Sequence, residues 1–315
     1  MNKKTITGLI AVFIYSAVCA QVQYPYPSQQ FPIHIENKDS YMSYMDVKPS
    51  TGNGETILLF HGKNFSGYYW KDLIPLLVKR GYRVIAPDLP GWGHSGKPNL
   101  HYSFHMLSTV NKSLLDSLHI NKVIVLGHSM GGMLAVRFTL MYPELTGKLV
   151  LENPIGLEDY KTFVPYQTLQ QLYTKEKSAS YESYKKYRQT YYPVWKPAYE
   201  QYVAAQAEAL SDPAFDDIAW VNAVTYQMIY EQPVVYELGR ITVPVLLIIG
   251  QADRTVVGKD QLTDEQKGQY GQYPQLGRKA AGAIKNAKLI ELEAMGHISH
   301  IQDLDKFVSA LFSFL

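Results

Sequence analysis

The sequence VIVLGHSMGGMLAV, from Val123 to Val136, interrupts an apolar run with two glycines and a His-Ser pair. The residues before the interruption have the composition of a buried strand, and those after it have the pattern of a helix. The segment Gly127–Gly131 fits G-x-S-x-G, in which Ser129 stands on a sharp turn between the two elements. The glycines leave room for a crowded backbone, and the following helix N-terminus favours negative charge beside the serine. An ordinary glycine-rich turn with an incidental serine is the alternative.

Short β-rich runs recur along the chain, and helical patterns separate most of them. Continuous apolar strands that alternate with helices predict a parallel sheet covered on both faces. Two upstream runs, FPIHIE (31–36) and YMSYMDV (41–47), predict a leading antiparallel hairpin. The expected fold class is therefore α/β, with a mostly parallel central sheet flanked by helices. Its strands are TILLF (56–60), YRVIAPD (82–88), KVIVLG (122–127), KLVLEN (148–153), PVLLIIG (244–250) and KLIELEA (288–294).

The region from Ile155 to Arg240 breaks this alternation. It has no convincing strand, contains helical stretches such as AYEQYVAAQAEAL, and holds 13 of the 25 tyrosines. These tyrosines either pack the insertion onto the sheet or line an apolar cleft over Ser129, and those near Tyr226 and Tyr230 are candidates for the cleft. We interpret it as a helical cap inserted after the strand that ends near Asn153. At 315 residues and 46% hydrophobic content, the chain is long enough for such an insertion in one large core. The predicted organisation is a core at 21–154, the cap at 155–240 and the rest of the core at 241–315.

The N-terminus has the features of a secretory signal peptide over residues 1–20. Lys3 and Lys4 precede an uncharged stretch that ends in the small-residue site Val18-Cys19-Ala20. The stretch is shorter than the roughly 20 apolar residues that span a bilayer. A cleaved signal predicts a periplasmic or secreted protein. An uncleaved membrane anchor and a lipid-modified Cys19 are the alternatives.

Cleavage after Ala20 would change both the charge and the thiol content of the chain. Loss of Lys3 and Lys4 would leave 28 basic residues against 28 acidic ones. A neutral chain argues against a nucleic-acid partner and against a polybasic membrane patch. Cys19, the single cysteine, would be removed as well, which excludes disulfides and thiol chemistry.

A serine hydroxyl is a weak nucleophile unless a base takes its proton and a carboxylate orients that base. LLIIGQADRTVV places Asp253 just past a strand, and LEAMGHISHIQD places His297 just past the last strand. The order Ser129, Asp253, His297 is the one expected when a serine on such an elbow has its acid and base downstream. Glu152, at the end of the strand after the nucleophile helix, is the rival acid.

Four motifs, one of which is the elbow GHSMG (127–131), resemble in sequence and order those of the α/β-hydrolases over nearly all of the mature chain. FHGKNFSGYYW (60–70) is similar to the oxyanion loop of bacterial haloperoxidase-like esterases and meta-cleavage-product hydrolases, and APDLPGWGHSGKP (86–98) to the loop after their next strand. GHISHIQDLDKF (296–307) resembles their histidine loop. The resemblance implies that the backbone N–H groups of Lys63 and Met130 form the oxyanion hole. Asn64 is the alternative to Lys63.

Other polar residues near these motifs are expected to support the site. His300 is a rival base or half of a metal pair, but no Cys or carboxylate cluster completes a zinc site, and lining the pocket or satisfying a backbone group is expected instead. His128 is expected to support the elbow and His61 the oxyanion loop. Asp88 and Ser95 are expected to shape the site.

The sequence predicts a serine hydrolase that cleaves a carboxylic ester of a small to medium apolar substrate through an acyl-enzyme on Ser129. The partner is expected to be a small molecule, and neither a cofactor nor a metal is expected. Lactonase, carbon–carbon bond hydrolase, thioesterase and aminopeptidase activities use the same triad and stay open. A non-catalytic ligand-binding protein of the same fold is a further alternative, because fold alone does not fix function.

Overall fold

The computed structural model describes residues 22–315. The signal peptide predicted for residues 1–20 lies outside the described residues. Within residues 22–315, no helix is long and apolar enough to cross a membrane.

The centre of the molecule is a sheet of eight strands. The strands pair in the order β1-β2-β4-β3-β5-β6-β7-β8. The first two form an antiparallel hairpin, the second also pairs antiparallel with the fourth, and the remaining neighbours are parallel. The predicted fold class is thereby confirmed. The strands are β1 (Ser28–Ile35), β2 (Lys38–Val47), β3 (Thr56–Phe60), β4 (Arg83–Pro87), β5 (Val123–His128), β6 (Thr146–Glu152), β7 (Val245–Gly250) and β8 (Ala287–Leu292).

Helices cover both faces of the sheet, which explains why the central strands are apolar throughout rather than alternating. Every residue of β3, β5 and β7 is buried. One apolar core lies under α2 (Phe104–Ser117), α3 (Met130–Met141) and α9 (Tyr273–Ala283). The other lies under α1 (Ile74–Lys79) and α11 (Leu304–Phe312). The carboxyl ends of the parallel strands meet at one edge, where ligands bind in open α/β sheets.

Between β6 and β7 the chain forms the helices α4 (Leu169–Lys177), α5 (Tyr181–Gln189), α6 (Glu200–Ala207) and α7 (Phe215–Glu231). No strand occurs in this stretch of the described chain. Capping boxes at Thr168 and Ser180 satisfy the first N–H groups of α4 and α5. Val221 and Met228 of α7 join the apolar core that includes α2 and α3. The cap helices are therefore packed onto the core by buried apolar side chains.

The connection from β7 to β8 contains two helices, α8 (Asp264–Gln269) and α9. The break lies at Gly271, which has a φ of +71° and whose added Cβ would lie 2.6 Å from the Val256 side chain. A residue with a Cβ is strained there, so glycine ends the first helix. After β8, α10 (Ser299–Gln302) carries the chain into α11.

Candidate active site

Ser129 stands on the turn between β5 and α3, in a strained backbone conformation with φ +57° and ψ −120°. The turn requires small neighbours on both sides. An added Cβ at Gly127 would lie 2.1 Å from the Gly131 carbonyl oxygen, and one at Gly131 would lie 2.1 Å from the Phe60 carbonyl oxygen. The Ser129 side chain does not cap α3, so its hydroxyl is free to bond elsewhere. Strain of this kind, held by close packing, is found where a side chain must be presented in one direction.

The structure brings Ser129, His297 and Asp253 into one hydrogen-bonded chain. The Ser129 hydroxyl lies 2.9 Å from His297 Nε2, and His297 Nδ1 lies 2.7 Å from Asp253 Oδ2. The carboxylate can only accept, so the Nδ1 proton faces Asp253 and the bare Nε2 faces the serine. The three residues are 6%, 1% and 2% exposed, respectively. The imidazole therefore has the tautomer and position of a base for the Ser129 proton.

Asp253 is held by donors on both of its oxygens. Its Oδ2 also accepts from Asn153 Nδ2 at 2.8 Å, and its Oδ1 accepts from the Thr255 N–H at 2.8 Å. Burial alone would raise the pKa of Asp253, but the charge and hydrogen bond of His297 and the bonds from Thr255 outweigh it and leave the pKa below its ordinary value. Asp253 is therefore an anion at neutral pH. Sequence reasoning missed Asn153, although it follows the rival acid directly.

Glu152, the rival acid, is fully buried and has a different partner. It accepts from the His300 N–H at 2.9 Å and from His300 Nδ1 at 2.8 Å. The His300 ring stacks on Trp70, with 4.4 Å between ring centroids. The sequence predicted that His300 lines the pocket or bonds to a backbone group; its Nδ1 instead pairs with the buried carboxylate of Glu152. The chain thus has two buried acid–imidazole pairs, of which one reaches the serine.

The predicted oxyanion donors lie on the loop after β3 and at the start of α3. Neither the Lys63 N–H nor the Met130 N–H donates a hydrogen bond to another residue of the described chain, and the same holds for Asn64. The loop is close to the nucleophile, since a Cβ on Gly62 would lie 3.1 Å from Ser129 Cβ. Met130 is the first residue of α3, where the helix dipole adds partial positive charge. These N–H groups are available to an oxyanion, and on the loop both the Lys63 and the Asn64 N–H are free to donate to it.

A buried network joins the oxyanion loop to the histidine loop. The Gly62 N–H donates to the Tyr69 hydroxyl at 3.0 Å, and that hydroxyl lies 3.2 Å from His128 Nδ1. His128 Nε2 donates to the His297 carbonyl at 2.9 Å. Burial, with nearby His297, lowers the pKa of His128 well below its ordinary value, so the ring stays neutral. His128 supports the loops on either side of Ser129; sequence reasoning missed Tyr69, one of several aromatic residues in its motif.

Two further polar residues hold the loops after β3 and β4. His61 accepts from the Leu89 N–H at 2.9 Å and donates to the Gly62 carbonyl at 2.9 Å, while burial lowers its pKa. Asp88 accepts from the Gly67 N–H at 2.6 Å and from the Tyr24 hydroxyl at 2.8 Å. Both side chains are engaged by protein groups and stand away from the reacting serine. They fix the shape of the loops, as the sequence predicted.

A cavity of about 390 Å³ lies between the cap and the core. Phe65, Tyr69 and Trp92 form a wall on its core side, and Asn64 brings it to the oxyanion loop. Ser129 does not line it, and neither do Tyr226 and Tyr230, the two tyrosines that the sequence offered as candidates. Tyrosines other than these two line it in addition to Tyr69. The sequence could not identify them, because helical spacing alone does not show which side of a helix faces the core. These tyrosines are Tyr24, Tyr68, Tyr184 and Tyr202.

The cap also touches His297. The His297 N–H donates to the Tyr191 carbonyl at 2.8 Å, and the two rings lie 4.8 Å apart. Gly296 permits this approach, since its added Cβ would lie 2.1 Å from that carbonyl oxygen. Within residues 22–315 there is no group of three or more His, Cys, Asp or Glu side chains placed to hold a metal ion.

Comparisons with known proteins agree with this fold. The family model described as alpha/beta hydrolase fold matches residues 55–304. A solved structure of a probable hydrolytic enzyme from Pseudomonas aeruginosa PAO1 is 42% identical and superposes with a TM-score of 0.91, covering 93% of this chain and 95% of that one. An esterase from Exiguobacterium antarcticum shares the fold at 18% identity and a TM-score of 0.72, covering 91% and 99% of the two chains.

A shorter match links the chain to a curated enzyme. The 2-hydroxy-6-oxononadienedioate/2-hydroxy-6-oxononatrienedioate hydrolase of Escherichia coli O81 (strain ED1a) is 41% identical over 128 residues. The match covers 38% of this chain and only 44% of that enzyme. The family match over residues 55–304 and the 42% identical structure carry the assignment. This chain belongs to the alpha/beta hydrolase fold family and is a hydrolase of that fold.

Proposed function

We propose that the protein is a serine hydrolase that cleaves carboxylic esters. The observation that carries this proposal is the unbroken hydrogen-bonded chain from Asp253 through His297 to the hydroxyl of Ser129. An acid, a base and a hydroxyl in this order activate a nucleophile for acyl transfer. The strained elbow adds support, because it presents Ser129 beside unpaired N–H groups.

In the first half of the proposed reaction, Ser129 Oγ attacks the acyl carbon and His297 Nε2 takes the hydroxyl proton. The carbonyl oxygen becomes an oxyanion, which the N–H groups of Met130 and of Lys63 stabilise. The bond to the alcohol then breaks, and His297 returns its proton to the leaving oxygen. In the second half, water attacks the acyl-enzyme, gives its proton to His297, and releases the carboxylic acid with Ser129 restored.

We propose a small to medium, largely apolar acyl group. The cavity offers the aromatic faces of Phe65, Tyr69 and Trp92 next to the oxyanion loop. Lys97, one of the charged residues that line it, is engaged by the Gly93 and Ser95 carbonyls at 2.6 and 2.7 Å. Because Ser129 is 6% exposed and does not line the cavity, the substrate would enter by a movement of the cap or of the loop.

Carbon–carbon bond hydrolysis is the second candidate. The observation in its favour is the 41% identical match to the E. coli hydrolase, whose named substrate is a dioate. The same serine, histidine and oxyanion donors would serve if the bond broken joined the acyl carbon to a carbon leaving group. The match covers less than half of that enzyme, so ester hydrolysis remains the first proposal.

We further propose that the enzyme acts outside the cytoplasm, in the periplasm or the medium. Support comes from the basic, apolar and small-residue order of residues 1–20. The proposed partner is a small acyl substrate rather than a nucleic acid.

The test is a substrate panel on the purified mature protein: p-nitrophenyl esters, lactones, aminoacyl p-nitroanilides and a 2-hydroxy-6-oxo-dienoate. Ester hydrolysis that disappears in the Ser129→Ala variant supports the first proposal. Turnover confined to the dienoate would replace it with the second. Turnover confined to lactones or aminoacyl amides would keep the triad and reject both substrate classes.

A further inference from the structure

One buried arginine joins the cap to the loop that carries the proposed oxyanion donors. Arg188, in the last turn of α5, is 2% exposed. Its Nη2 donates to the Asn64 carbonyl at 2.9 Å. Its Nε and Nη2 donate to Gln206 Oε1 of α6 at 3.1 and 3.0 Å, and the guanidinium lies 4.0 Å from the centroid of the Phe65 ring. Two cap helices and the core loop therefore meet at this side chain.

Arg188 has no acidic partner among the described residues. Burial lowers the pKa of this guanidinium, but an arginine side chain stays protonated at neutral pH. A buried charge without a counter-ion lowers stability, and hydrogen bonds offset only part of that cost. Arg188 donates to a backbone carbonyl of the oxyanion loop and not to a carboxylate, so the group that it holds in the core is that loop.

The loop has a conformation that needs support from outside. Asn64 has a φ of +65°, in the left-handed region that few residues other than glycine adopt without strain. The Phe65 N–H closes the turn onto the Gly62 carbonyl at 3.2 Å. The N–H groups of Lys63 and Asn64 donate to no described residue. The cap thus holds the carbonyl of this turn, while its N–H groups remain available.

We propose that Arg188 is a positioning residue that holds the oxyanion loop in its donating conformation when the cap rests on the core. This inference rests on the proposed function of the same site. A charge-assisted hydrogen bond to the Asn64 carbonyl resists rotation of the strained turn. Opening of the cap would break that bond, so cap closure and assembly of the oxyanion hole are coupled. Arg188 acts through the loop and does not touch the reacting atoms.

The rival role is direct binding of a substrate carboxylate. Arg188 and Asn64 both line the 390 Å³ cavity, and Nη1 of Arg188 has no partner in the described chain. The two roles differ in what they predict for a neutral substrate. A positioning residue affects turnover of every ester, whereas a carboxylate ligand affects binding of anionic esters alone.

The experiment compares Arg188→Met with wild type and with Lys185→Met, a control on the same helix whose ion pair with Glu200 is partly exposed. The substrates are p-nitrophenyl butyrate, which is neutral, and the mono-p-nitrophenyl ester of adipic acid, which carries a carboxylate. We expect kcat of Arg188→Met to fall by about tenfold or more on both esters, since removal of one oxyanion donor lowers kcat by roughly 100-fold or more. KM should change less than kcat. Lys185→Met should match wild type in both constants.

Three results would overturn the proposal: unchanged kcat in Arg188→Met, a rise in KM confined to the adipate ester, or an equal loss of kcat in Lys185→Met. If Arg188→Met does not fold, Gln206→Leu removes two of the arginine's bonds and keeps its charge. A several-fold lower kcat on both esters in that variant supports the proposal, and an unchanged kcat refutes it. If wild type hydrolyses neither ester, the proposed function itself fails and this inference falls with it.

Discussion

Replacement of Asp253 by asparagine tests whether Asp253, rather than Glu152, is the acid that orients His297. All three groups around the Asp253 carboxylate are donors: His297 Nδ1–H and Asn153 Nδ2–H at one oxygen, and the Thr255 N–H at the other. An asparagine must place its NH₂ against the donors at one of the two oxygen positions. If the NH₂ faces His297, the imidazole must carry its proton on Nε2, and Nε2 can then no longer accept from the Ser129 hydroxyl. If it faces Thr255, a buried donor is left unpaired, which costs about 1–3 kcal/mol, and the imidazolium loses its counter-charge.

The expected loss follows from the first arrangement. The same substitution in the chymotrypsin-type triad lowers kcat about 10⁴-fold through the wrong tautomer, which corresponds to roughly 5.4 kcal/mol of transition-state stabilisation. We expect Asp253→Asn to lose about three to four decades of kcat on p-nitrophenyl butyrate, with KM little changed.

Glu152→Gln is the matched control, because the Glu152 side chain bonds to His300 and to neither His297 nor Ser129. It should lower the midpoint of thermal unfolding, since a buried amide pairs less strongly with the two donors of His300 than the carboxylate does, but keep kcat within about threefold of wild type. Steady-state kinetics and thermal unfolding on both variants provide the data. If Glu152→Gln lost more turnover than Asp253→Asn, or if Asp253→Asn kept a tenth of wild-type kcat, the assignment of the acid would be wrong.

Three further predictions concern pH, substrate and export. Because burial lowers the pKa of His128 below its unfolded value of about 6.5, the unfolded state binds the proton first; the resulting stability is present above that pH and is lost as pH falls below it. Urea unfolding at a series of pH values should therefore show that the free energy of unfolding falls less steeply with decreasing pH in His128→Gln than in wild type, by about 1.4 kcal/mol per pH unit on the acid side. Parallel pH dependences in the two proteins would contradict this. Each methylene buried in the cavity is worth about 0.8 kcal/mol, so kcat/KM should rise about fourfold per carbon from the acetate ester, then drop for palmitate; strict preference for acetate would count against an apolar pocket. N-terminal sequencing of the exported protein should begin at Gln21, and an intact Met1 on membrane material would favour an anchor.

The fold was predictable because its signals are local and strong. Each parallel strand is a short apolar run between polar turns, so the predicted boundaries differ from those of β3 to β8 by at most two residues. The hairpin of β1 and β2 followed from alternating patterns separated by a tight turn. The helices of the β7–β8 connection were less predictable, since the break at Gly271 depends on its contact with Val256, which is distant in sequence.

The residues of the triad were predictable as positions, because each follows a strand whose end lies at the same edge of the sheet. The residues that support the triad could not be predicted from the sequence. Asn153 and Tyr69 act through side-chain contacts across 100 and 59 positions of the chain, respectively, and their residue types carry no special pattern. Arg188 stands among lysines and tyrosines in a helical run, and only the packing of the cap distinguishes it from its neighbours.

The cavity lining could not be inferred for a related reason. Tyr226 and Tyr230 lie on α7, a helix with buried residues on several sides, so its periodicity does not define one face. The Tyr230 hydroxyl donates to the Val164 carbonyl within the cap instead of facing a substrate. Tyr24, which does line the cavity, comes from the stretch before β1 and has no helical pattern at all.

The most direct test of the account is the site of labelling by a fluorophosphonate, read by mass spectrometry of the digested protein. Only a serine whose proton is taken by a positioned base reacts quickly with such a probe. The arrangement of Ser129, His297 and Asp253 predicts one adduct, on the peptide that contains Ser129, and none in Ser129→Ala of equal thermal stability. Failure of the wild-type protein to react, or an adduct on any other residue, would contradict the claim that Ser129 is an activated nucleophile.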